Sequence, residues 1–119
     1  MAENKQIIEK IVDGIQEVKG KGISVVDLTK LSDTPCEYFV ICEGTSTTQV
    51  NSIAESVREY VRDTIKVKPY VVDGFENCVW IAMDYGQIIV HVFQRETREF
   101  YDIEHLWNNA EITNIPDLD

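Results

Sequence analysis

The residues of this sequence that could do chemistry are few and scattered. His91 and Asp84 both fall within the stretch CVWIAMDYGQIIVHVF, from Cys78 to Phe93, and an imidazole sharing a face with a carboxylate is the arrangement of a general base and its orienting group. Such a pair needs a nucleophile or a positioned water, and no Ser or Cys stands in a recognisable setting for one. His105 is a second imidazole that could serve as a base or a ligand. Cys36, Cys42 and Cys78 lack C-x-x-C spacing and are odd in number, which argues against a zinc site and a disulfide framework. They are expected to be buried thiols in a reducing compartment.

A second candidate is the run EGTSTTQ, Glu43 to Gln49, where unpaired amides at a helix start could hold an anion. An ordinary cap explains the same residues, with Gly44 making the turn and Ser46 accepting a backbone hydrogen bond. Neither G-x-x-x-x-G-K-[ST] nor G-x-G-x-x-G occurs. A strand-Gly-Ser-helix pattern is also used in nucleotidyl transfer, which requires paired carboxylates to hold Mg²⁺. At the corresponding offset, Glu55 to Arg58 lie in a helical pattern, and Asp73 has no D-x-D partner. The expectation is therefore a protein without catalytic residues, metal site or cofactor.

The stretch from Cys78 to Phe93 asks a different question if it folds as a hairpin. With Tyr85 and Gly86 as its turn, Asp84 pairs with Gln87, Ala82 with Ile89 and Trp80 with His91. One face then holds Val79, Ile81, Met83, Ile88, Val90 and Val92 and is expected to be core. The other mixes Trp80, Ala82, Asp84, Gln87, Ile89, His91 and Phe93. Charged and amide groups are rarely buried without partners, and Trp beside polar groups is typical of a protein interface. The pattern alone leaves Trp80 open between interface and core.

The elements that must position these groups follow from periodicity. Ile7, Ile8, Ile11, Val12, Ile15 and Val18 predict an amphipathic helix from about Asn4 to Lys19, closed by KGKG. ISVVDL and EYFVIC predict two strands around the turn SDTP. Val50, Ile53, Ala54, Val57, Tyr60 and Val61 predict a helix from Ser46 to about Thr64, with Ser46 and Gln49 at capping-box spacing. VKPYVVDG predicts a third strand before the hairpin. RETREFYDIEHLW reads as a short helical or irregular segment, with Phe100, Ile103 and Trp107 as its apolar stripe and Tyr101 and Glu104 as rim contacts. The order αββαβββ predicts an α+β domain, helices covering the apolar face of a mixed sheet. Residues 1–107 form this single domain, and 108–119 a polar, acidic, frayed tail.

Composition narrows the partners. The 119 residues can hold one core, and 21 acidic against 11 basic residues give a formal charge of −10, which opposes broad docking on nucleic-acid phosphates. No membrane span, secretory core or Arg-rich transit pattern is evident, so the expected location is cytoplasmic and the expected partner a basic protein surface.

VWIAMDYGQIIVHVF followed by REFYDIEHLW resembles the signature of the ribosomal silencing factor family, RsfS or Iojap, and the resemblance extends upstream through DLTKLSDTPCEYFVICEGTSTTQVNSIAESV. It implies a nucleotidyltransferase-like fold that has lost catalysis, often homodimeric. It also implies a translation repressor that binds the large ribosomal subunit through its fourteenth ribosomal protein and sterically blocks joining of the small subunit. Carried over by position, the resemblance marks Trp80, Asp84, His91, Tyr101, Glu104 and Trp107. Tyr85 and Gln87 lie in the same turn, although Gln87 stands where the family commonly has Asp.

Overall fold

The computed structural model describes residues 3–118. Its elements are α1 (Asn4–Glu17), β1 (Lys21–Asp27), β2 (Tyr38–Gly44), α2 (Thr47–Ile65), β3 (Val71–Asp73), β4 (Trp80–Asp84), β5 (Ile88–Gln94), α3 (Arg95–Tyr101), a 3-10 turn (Ile103–His105) and β6 (Glu111–Ile115). The strands form one six-stranded sheet in the order β3-β4-β5-β2-β1-β6. Only β2 and β5 run parallel; every other neighbouring pair is antiparallel. This is the expected mixed α+β architecture with one strand more than the sequence pattern gives.

The helices form as their apolar spacing demands. Ile7, Ile11 and Ile15 of α1 and Val50, Ile53, Val57 and Val61 of α2 are buried on one face of the sheet. They meet Ile81, Met83, Ile88, Val90 and Val92 of the hairpin, all fully buried. Each large aliphatic side chain removed from water there contributes roughly 1.5–3 kcal/mol. The two helices cross closely at Gly14: a Cβ there would lie 3.0 Å from the Val57 Cα, and Ser56 Oγ donates to the Gly14 carbonyl at 2.7 Å. Ser46 caps α2 by accepting from Gln49 N at 3.1 Å, while the Gln49 side chain reaches one residue further back than a capping box requires and accepts from Thr45 N at 2.7 Å.

On the other face Val26, Leu28, Cys36, Phe39, Ile41, Phe93 and Ile103 form a second, smaller cluster. Trp80, Ile89, Trp107, Ala110 and Ile112 pack around it, partly buried. Its roof is the C-terminal segment.

Four expectations need correction. Residues after Asn108 do not fray: β6 pairs antiparallel with β1, from Ile23 opposite Ile115 to Asp27 opposite Glu111, and Ser24 Oγ bonds Asn114 Oδ1 at 2.8 Å. The hairpin register is shifted by two, with Trp80 opposite Phe93, Ala82 opposite His91 and Asp84 opposite Ile89. Its connection is longer because Asp84 Oδ1 accepts from Gly86 N at 2.7 Å and Tyr85 N donates to Ile88 O at 2.8 Å. A shift of two leaves every side chain on its assigned face, since strands alternate with period two. Val79 precedes β4 and is exposed rather than core. Of the cysteines, Cys36 and Cys42 are buried, but Cys78 is only half-buried, in a left-handed turn at φ 57°.

Candidate docking surface

The mixed face of the hairpin is built from its buried floor upward. Phe93 on β5 is fully buried, and Trp80, opposite it on β4, stacks on it with ring centroids 4.8 Å apart. Tyr101 at the end of α3 lies 5.0 Å from the Trp80 ring, and Phe100 meets Tyr101 edge to face at 5.0 Å. Exposure rises along this series, to 50 % at Tyr101 and 80 % at Phe100. The result is an aromatic ladder rooted in the core and open at its tip, with Val79 exposed beside Trp80 in the chain.

His91 holds the ladder in place. Trp80 Nε1 donates to His91 Nδ1 at 3.0 Å, which fixes Nδ1 as the acceptor and leaves the proton of the neutral ring on Nε2. His91 is 7 % exposed, and burial pushes its pKa down to about 4. Its Nε2 is buried without a hydrogen-bond partner. The ring packs edge to face against Phe39 at 4.7 Å, and Phe39 in turn contacts Trp107 at 5.7 Å. With a neutral imidazole committed to Trp80 and Asp84 occupied by the turn, the expected alternative of a His-Asp dyad has no geometric basis.

Arg98 fixes the other side of the ladder. Its guanidinium donates to both oxygens of Glu104 at 2.9 Å, to Glu43 Oε1 at 3.0 Å, to Gly22 O at 2.6 Å and to Ser24 Oγ at 3.2 Å. Desolvation opposes the Arg98 charge, but the bonds and charges of Glu104 and Glu43 outweigh it and hold the pKa above its ordinary value. The same hydrogen bond from Arg98 holds Glu104 below the usual carboxylate range. This five-bond staple ties α3 and the 3-10 turn to the ends of β1 and β2, and so sets where Tyr101 stands. The segment cannot continue as one helix, because Asp102 turns left-handed at φ 45°. That break sends Ile103 into the core and Phe100 out into solvent, splitting the predicted stripe.

The predicted contacts therefore separate. Trp80, His91 and Tyr101 come together. Trp107 supports them from below through Phe39. Asp84 and Gln87 lie at the far end of the hairpin, about 13 Å from Trp80 along the strand at a rise of about 3.3 Å per residue. Gln87 is exposed there, and its carbonyl accepts from Glu37 N and Tyr38 N at 2.9 and 3.0 Å. Tyr85 is a correction: the strand alternation continues through it, so its ring is 5 % exposed among the helix-side core residues and burial pushes its pKa up to about 12. Glu104 is a second correction, an internal partner of Arg98 rather than a free rim carboxylate. Two residues join the surface that the pattern does not mark for it: Phe100, whose spacing assigns it to the apolar stripe, and Arg98, whose partners in β1 and β2 are distant in the chain.

The helix start has the geometry of a cap. The amides of Thr45 and Gln49 are taken by Gln49 Oε1 and Ser46 Oγ, as an ordinary cap requires.

Comparison with known proteins gives consistent results. The family described as "Ribosomal silencing factor during starvation" matches residues 1–119. The ribosomal silencing factor RsfS of Bacillus subtilis is 30 % identical over 112 residues, covering 93 % of this chain and 92 % of that protein. A mouse protein named for mitochondrial assembly of the ribosomal large subunit is 36 % identical over 73 residues, 60 % of this chain and 32 % of its own length. Among solved structures, a Chromobacterium violaceum protein superposes with a TM-score of 0.84 at 29 % identity, covering 92 % of this chain and 90 % of that one.

Proposed function

This chain belongs to the family of ribosomal silencing factors, and we propose that it represses translation by docking the aromatic ladder on the large ribosomal subunit. The contact is with the fourteenth ribosomal protein, on the face that meets the small subunit, and the block to subunit joining is steric. The protein acts by occupying a surface, not as an enzyme. The mouse relative's name, which refers to the ribosomal large subunit, supports the choice of subunit.

The observation that carries this reading is the ladder itself. Partly exposed aromatics anchored by a buried floor match the residue types that dominate interface energetics, and their fixed rings lose little freedom on binding. A net charge of −10 favours encounter with a basic ribosomal protein. Trp80, Tyr101 and Phe100 make the main contact, with Asp84 and Gln87 as a second one at the far end of the hairpin. His91 and Glu104 position the first group. The protein is a homodimer when free.

The test is a subunit-joining assay. Large subunits preincubated with the protein should fail to form complete ribosomes when small subunits are added, and those preincubated with Trp80→Ala should join as freely as untreated ones. Unimpeded joining in the presence of saturating wild-type protein would end the steric reading.

A further inference from the structure

Against an acidic molecule, one cavity stands out by sign. Arg58 and Arg62 on successive turns of α2 line it with Lys68, Pro69, Tyr70 and Val72, and no carboxylate lines it. Its volume is about 370 Å³, within the roughly 300–1,000 Å³ range of ligand clefts. From these side chains we infer that the cavity is an RNA contact, seating a backbone phosphate on Arg58, Arg62 and Lys68 and a base against Tyr70.

The cations are preset for this work. Arg58 is fixed by its guanidinium lying 4.9 Å from the Phe75 ring centre and by Glu55 at 2.8 Å. Arg62 pairs with its neighbour Asp63 at 3.0 Å, an exposed pair of the kind worth little in water, so a phosphate can replace the carboxylate at small cost. Lys68 makes no ion pair among the described residues. Tyr70 is 80 % exposed, with an edge of its ring close to Gly86. Clustered cations beside an exposed aromatic are what single-stranded nucleic acid requires, the charges tracking the backbone and the ring accepting any base. An acidic peptide would use the cations but leave the ring idle.

Position sets the cavity apart from the protein contact. β3 is the sheet edge, and its two valines face opposite ways: Val72, paired with buried Met83, lines the cavity, while Val71, paired with Asp84, lies on the side of Trp80. A molecule docked through the ladder therefore carries this cavity on the opposite face of the sheet, at the end of the hairpin where Tyr70 N donates to Asp84 O, about 13 Å along the strand from Trp80. The inference rests on the docking reading for where that RNA is met.

The experiment measures binding to large subunits across a salt series for wild type, for the double variant Arg62→Gln/Lys68→Gln and for Tyr70→Ala. The same variants are measured against the purified fourteenth ribosomal protein. The double variant should bind subunits at least about tenfold more weakly and lower the log–log salt slope by roughly 1–2, while its affinity for the isolated protein stays the same. Tyr70→Ala should weaken subunit binding without changing the slope. Unchanged subunit affinity and slope would overturn the inference, and an equal loss on the isolated protein would assign the cavity to a protein partner instead. If wild type fails to bind subunits, the docking reading falls. The inference is then decided by anisotropy with a single-stranded uridine oligonucleotide at low salt: binding that the double variant loses upholds it, and no binding by wild type rejects it.

Discussion

The two faces of one hairpin have opposite fates. Ile81, Met83, Val90 and Val92 point to a face closed by two long helices, and all four are fully buried. Trp80, His91 and Phe93 point to a face closed by a seven-residue helix and a 3-10 turn, held by one buried guanidinium. The short roof leaves the aromatic series uncovered at its end. The proposed docking surface lies where the covering layer runs out, and the polar groups that look out of place on a strand are the struts of the uncovered part.

The largest break in this contrast should come from Arg98. Truncation to Ala strands Glu104, whose side chain is only 12 % exposed, and leaves Glu43 to its bond with Arg95 at 2.7 Å; loss of one partner from such a network costs about 3–5 kcal/mol. Urea denaturation should show that loss together with a Tyr101 released from Trp80; a midpoint near that of wild type would mean the staple is incidental. On the closed face, Ile53→Ala should cost about 2–5 kcal/mol by leaving a cavity, with affinity for large subunits unchanged in the folded fraction. A matching loss of affinity would erase the division between the faces.

Acid should sharpen the comparison. His91 titrates near 4 in the folded chain against an ordinary value of 6.5, so between these values the unfolded state binds one more proton and stability rises with pH. The contribution is complete above about pH 6.5 and falls away as pH drops towards 4, by a few kcal/mol at about 1.4 kcal/mol per pKa unit. Protonation of Nδ1 also removes the acceptor for Trp80. Denaturation curves of wild type and His91→Gln should diverge in slope over that window, and parallel pH profiles would show that His91 is not the titrating group. The smallest effect is expected at the tip: Phe100→Ala should change stability by no more than about 0.5 kcal/mol, as exposed sites do, yet weaken subunit binding measurably in a titration.

Much of this was legible in the residues. Helical spacing marked the buried stripes of α1 and α2, and alternation sorted the hairpin into a pure face and a mixed one even though the register was off by two. β6 was not legible because EITNI alternates weakly; its two isoleucines are only partly buried, and it forms by pairing with β1, nearly the whole chain away. Tyr85 was misplaced for a local reason, since a longer turn lets the strand's alternation carry it to the helix side. The Arg98–Glu104 pair spans six residues across a helix break, a separation that no helical period brings together.

On the docking reading Trp80 serves binding more than folding. This is tested most directly by measuring Trp80→Ala for both properties in one preparation, its urea midpoint and its dissociation constant for isolated large subunits. The variant should stay folded while its affinity falls at least about 30-fold, a hot-spot loss of roughly 2 kcal/mol or more. A folded variant that binds large subunits as tightly as wild type would contradict it.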